Sequence, residues 1–92
     1  MEFIKMHLEP LLVQPIVYVL ELEDDCWYVG ITMNLNHRLS QHWTGDGAKW
    51  TRLHKPIRVA YVTYMGCEQE ITDEMIRQHG RDRVRGGSHT RV

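Results

Sequence analysis

Cysteine is scarce in this chain of 92 residues. Cys26 and Cys67 stand apart, outside any CxxC pair, which gives no disulfide framework and fits a reducing compartment. Taken with His54 and His79 they match no zinc-ligand spacing. No apolar run approaches the ~20 residues that a membrane helix requires. The stretch from Met1 to Pro15 lacks the cationic region and apolar run of a signal peptide. The expectation is therefore an intracellular, cytoplasmic protein with no membrane partner. There is no internal repeat, low-complexity run or linker, and 42% hydrophobic with 25% charged residues excludes disorder as the default.

A strong net charge is lacking too: the total is −1. Its distribution is uneven, however. Residues 1–30 carry six acids against one Lys, residues 31–65 carry five Lys or Arg against one acid, and residues 66–92 carry five of each. The cationic middle segment is where a polyanion would be steered, with the acidic stretch at Glu23 to Asp25 facing elsewhere. A merely solvated basic surface explains the charge equally well.

A chain of this length forms one domain with a thin core: an extension over residues 1–15 and a core over 16–88. In the extension Ile4, Leu8, Leu11 and Leu12 have helical spacing, but Pro10 and Pro15 interrupt it; the segment is expected to cover the sheet or to make a dimer contact. Residues 16–22 read as a strand that is apolar on both sides at its start, hence central. The three acids turn the chain, and residues 26–32 return as the second arm of a hairpin. Asn34, or alternatively Thr32, caps a helix that ends near Trp43 and is anchored by Leu35 and Leu39. Residues 48–54 form a short helical turn, residues 57–64 a third strand and residues 68–79 a second clear helix, after which Val84 anchors the chain. The fold class expected is α+β, a small three-stranded antiparallel sheet flanked by helices.

The chemistry gathers at Trp27-Tyr28-Val29-Gly30 and the helix from Asn34 to His42. A strand that ends at Gly30 presents Tyr28 at its terminus, and Arg38 and His42, four apart, share one helical face. A guanidinium offers phosphate oxygens a fixed fork of donors, while phenol and imidazole move protons. The hairpin also brings Tyr18 close to Tyr28.

Ile16-Val17-Tyr18, ten positions before Tyr28-Val29-Gly30, then Asn34-Leu35, Arg38-Leu39 and His42, resembles the GIY-YIG nuclease module. The likeness continues through Gly45-Asp46-Gly47-Ala48-Lys49-Trp50-Thr51 and His54-Lys55-Pro56, and the ending at Val84-Arg85-Gly86-Gly87-Ser88 is similar to that of small stand-alone members. Ile16 stands where the family name has Gly, Val29 where it has Ile, and Ile31 where many members have a basic or polar residue. The resemblance implies a metal-dependent endonuclease acting on DNA, with one divalent cation, Mg²⁺ or Mn²⁺, on a glutamate of the helix after the third strand. Glu68 is the first choice, twelve positions before Gly80, with Glu70 second.

Carried onto this chain, the resemblance implies that Tyr18 positions or activates the attacking water and that Tyr28 orients the water or the phosphate. Arg38 holds the scissile phosphate, His42 accepts a proton or touches phosphate, and Glu68 holds the metal. Gly30, Lys49 and Arg52 are the candidate substrate contacts. Each also has a plainer explanation: a packed strand tyrosine for Tyr18 and Tyr28, a solvated helix residue for Arg38, a first-turn acid for Glu68, and surface or core-edge placement for His42. Trp43 and Trp50 either stack on bases or are buried. The competing functional class is a non-catalytic nucleic-acid-binding module of the same fold. In so short a chain specificity is low, or is set by nucleic-acid shape, by a homodimer or by a partner protein.

Overall fold

The structure, a computed structural model, describes residues 15–64 and 67–91. The expectation placed on the N-terminal extension falls on residues 1–14, outside the described residues.

Valine, isoleucine and tyrosine dominate Ile16–Leu22 (β1) and Cys26–Thr32 (β2), residues whose branched or flat side chains suit a pleated surface. The two strands pair antiparallel around the turn at Glu23–Asp25, where Asp24 and Asp25 take positive φ. Pro56–Thr63 (β3) pairs antiparallel with the other edge of β1. β1 is therefore central, as its two apolar faces require.

The sheet departs from expectation in one respect. It has four strands, in the order β3-β1-β2-β4, and it is mixed: Val84–Gly86 (β4) runs parallel to β2, with Trp27 opposite Val84 and Val29 opposite Gly86. The three-stranded antiparallel sheet read from the sequence is corrected accordingly. Val84, read as an anchor, is the first residue of this strand and is fully buried.

Alternation along the strands divides the core in two. On one face Val17, Val19 and Val29 pack with Val84 and with Met75 of the helix Glu68–His79 (α3). On the other face Tyr18, Leu20, Leu22 and Cys26 pack with Trp50, backed by Leu35 and Leu39. Those last three residues belong to the helices Leu35–Thr44 (α1) and Lys49–Leu53 (α2). Of the two alternatives Asn34 is the cap of α1, accepting from the His37 N–H at 3.1 Å, while Thr32 Oγ1 accepts from the Asn34 N–H just before the helix. Tyr18 is thus on the α1 side of the sheet. The Trp50 indole donates to the Trp27 carbonyl at 3.0 Å, tying α2 to β2. The acidic turn lies at the opposite end of the hairpin from Tyr18, where Asp24 meets His54 at 3.0 Å.

Candidate active site

Register places the centre of the site. Tyr18 of β1 stands opposite Gly30 of β2, and an added Cβ at Gly30 would lie 2.3 Å from the phenol oxygen and from Cζ. The glycine leaves the space that the Tyr18 ring occupies. Tyr28, two residues earlier on β2, points to the same face, its ring centroid 6.3 Å from that of Tyr18. His42 completes a triangle of rings, 5.6 Å from Tyr18 and 5.1 Å from Tyr28.

His42 is buried, at 1% exposure, and makes two hydrogen bonds. Its Nε2 is 2.7 Å from the Tyr18 hydroxyl and its Nδ1 is 3.0 Å from Thr51 Oγ1. Burial, followed by the positive charge of Arg38, lowers its pKa to about 4, so the imidazole is neutral at ordinary pH. This placement sets His42 behind the Tyr18 hydroxyl, with its ring fully buried.

Arg38, one turn earlier on α1, is half-buried and lies within reach of both phenols. Burial by itself would lower the guanidinium pKa, but the Tyr18 oxygen, and then that of Tyr28, outweighs it and the net direction is upward. Gln41 Oε1 accepts from Arg38 Nη1 at 2.9 Å and steadies the head. Glu68, the first residue of α3, is half-buried and near enough for its charge to act on Tyr18. The Tyr18 pKa is raised well above the phenol value, by burial first and then by Tyr28, with Glu68 adding and Arg38 opposing.

The residues read from the sequence therefore separate into groups. Tyr18, Tyr28, Arg38 and His42 come together, and the charge of Glu68, at the start of α3, reaches Tyr18. Glu70 is exposed. Lys49 is exposed at the start of α2, and Arg52 lines a cleft of about 500 Å³ with Trp43, Lys55 and Pro56, which also reaches His42 and Thr51. Trp43 is 46% exposed while Trp50 is buried, so the two tryptophans part company. Tyr18 is fully buried, as its plainer explanation, a packed strand tyrosine, has it. Thr51, Gly47 and Gln41 had no role assigned from the sequence. A buried histidine with one nitrogen spent on a phenol requires a second polar partner, a need that only the folded structure reveals and that Thr51 meets.

Among the described residues no three His, Cys, Asp or Glu side chains gather as a metal-binding group. Glu68 would offer a cation one carboxylate, a donor suited to a hard ion that keeps several waters.

The profile of the GIY-YIG catalytic domain matches residues 14–81. This chain belongs to the GIY-YIG family. Among relatives of this GIY-YIG chain, a UPF0213 protein of Oceanobacillus iheyensis is 44% identical over 64 residues, 70% of this chain and 74% of its own. A UPF0213 protein of Streptococcus agalactiae is 41% identical over 54 residues, 59% of this chain and 61% of its own. The UPF0213 protein YazA of Bacillus subtilis is 32% identical over 53 residues, 58% and 54% of the two chains. The match thus spans between about half and three quarters of these relatives. No solved structure matches the chain significantly. Among the described residues no helix is long and apolar enough to cross a membrane.

Proposed function

We propose that this GIY-YIG chain is an endonuclease that hydrolyses phosphodiester bonds in DNA with the help of one divalent cation. One arrangement carries the reading: Arg38 lies against both phenols, with the Glu68 carboxylate close enough to act on Tyr18. A guanidinium against two phenols, with a carboxylate whose charge reaches one of them, suits a phosphodiester better than any neutral substrate.

In this mechanism Arg38 takes the scissile phosphate with its fork of donors. Leaving the phenols for the phosphate, it opens the Tyr18 oxygen to the attacking water. Burial is the main cause of the low His42 pKa and Arg38 the lesser one; the same phosphate cancels the Arg38 charge, and so raises the proton affinity of Nε2. Tyr18 then takes a proton from the water and passes its own to His42 Nε2. The new oxygen–phosphorus bond forms as the bond to the 3′ oxygen breaks. That oxygen takes a proton from solvent, and His42 returns its proton through Tyr18. Tyr28 orients the water or phosphate, and Lys49 and Arg52 extend the cationic surface along the backbone. Mg²⁺ or Mn²⁺ on Glu68 would supply positive charge for the phosphate and the leaving oxygen.

The full burial of the Tyr18 hydroxyl favours a second reading, a nucleic-acid-binding module without cleavage. End analysis separates them. Hydrolysis gives 5′-phosphate and 3′-hydroxyl ends in Mg²⁺ or Mn²⁺ and none in chelator, whereas a binding module leaves every strand intact. Selectivity beyond this site is assigned to DNA shape, a second copy of the chain or a partner protein.

A further inference from the structure

The Thr51 hydroxyl has one proton and two neighbours. It lies 2.8 Å from the Ala48 carbonyl oxygen and 3.0 Å from His42 Nδ1. A carbonyl oxygen has no proton to give, so a contact of 2.8 Å must be bridged by the hydroxyl's own. Thr51 Oγ1 then faces His42 as an acceptor only. His42 Nδ1 must carry hydrogen, and because the ring is neutral its Nε2 is bare. That bare nitrogen is the one 2.7 Å from Tyr18, whose hydroxyl donates to it.

From this chain of donors we infer that Thr51 is a positioning residue: it holds His42 as the Nδ1–H tautomer, leaving Nε2 open to take the Tyr18 proton. Free histidine in water favours the other tautomer, so the protein has to impose this one. Two features keep the ring in place. Thr51 is itself buried, at 1% exposure, and its i−3 bond to Ala48 fixes the hydroxyl within α2. Gly47 lies directly against the imidazole, where an added Cβ would come within 2.3 Å of Nδ1. The segment from Gly47 to Thr51 is thus a cradle for one face and one nitrogen of His42. Its effect reaches the phosphate site through Tyr18, since a phenol that donates to His42 keeps its lone pairs for Arg38 or for a water.

The catalytic use of this tautomer rests on the hydrolytic reading above, while the tautomer itself does not. Nitrogen-15 NMR of the imidazole rings, with His42 assigned by the signals lost in His42→Gln, reads it without any substrate. In the wild-type chain His42 is expected as a neutral Nδ1–H ring at pH 7; an Nε2–H ring overturns the proposal. Thr51→Val is expected to abolish the single tautomer and to slow metal-dependent cleavage roughly tenfold or more, with an altered pH profile. Thr51→Ser is expected to restore the Nδ1–H form. A Thr51→Val chain that keeps a pure Nδ1–H ring overturns the proposal. Should Thr51→Val not fold, the wild-type and Thr51→Ser spectra decide it: an Nε2–H ring in either overturns it. Wild-type protein with the expected tautomer but no cleavage overturns the hydrolytic reading alone.

Discussion

The Tyr18 ring fills the space that a side chain on Gly30 would occupy, with the phenol oxygen 2.3 Å from where a Cβ would sit. Gly30→Ala is therefore expected to push the phenol off His42. Overpacking of this kind costs about 1–3 kcal/mol. Chemical denaturation is expected to show the loss, and the His42 ring resonances to move with it.

Arg38→Ala removes the fork of donors without emptying the core, because the side chain is only half-buried. Cleavage is expected to fall by roughly 10²–10³-fold, the usual cost of losing a donor to a developing anion. Thermal unfolding should stay close to wild type. DNA binding at low salt should persist, since Lys49, Arg52, Lys55 and Arg58 are exposed.

The two candidate acids are separable. Glu68 is half-buried and its charge reaches Tyr18, whereas Glu70 is exposed. Glu68→Gln is expected to abolish Mg²⁺- or Mn²⁺-dependent cleavage, and Glu70→Gln to leave the rate within about twofold by the ordinary cost of a surface change. A time course of plasmid nicking with each variant checks this.

His42 makes stability depend on pH. Its folded pKa of about 4 lies below the unfolded value near 6.5, so between these values the unfolded chain binds the extra proton. Stability is complete above pH 6.5 and falls as the pH drops toward 4, by about 3 kcal/mol in all. Urea midpoints between pH 7 and 4 should show this slope, and His42→Gln should flatten it. Inorganic phosphate near Arg38 should move the His42 titration upward, because it cancels one of the two causes of the depression.

Local patterns made much of this fold legible. The alternation of Ile16–Leu22, the acidic turn and the Asn34 cap each act over a few residues, and each led to the right element. β4 was missed because three residues, Val84–Gly86, are too few to show a period, and because parallel pairing with β2 comes from distant parts of the chain. At the site, the grouping of Tyr18, Tyr28, Arg38 and His42 followed from spacing and resemblance. The burial of Tyr18 was legible as a packed strand tyrosine, whereas the partner that covers its hydroxyl, the His42 Nε2, was not, since Val17 and Val19 show only that the strand is covered. Thr51 was invisible for a related reason: its hydroxyl acquires meaning only when α2 folds back against His42.

The most direct test of the hydrolytic assignment is nicking of supercoiled plasmid by the wild-type chain and by Glu68→Ala and Arg38→Ala, with filter binding of the same DNA measured in parallel. The account predicts that wild type converts the plasmid to nicked circles in Mg²⁺ or Mn²⁺ and that both variants bind yet do not cut. Nicking by Glu68→Ala at the wild-type rate, or wild-type protein that binds without cutting in either metal, would contradict it.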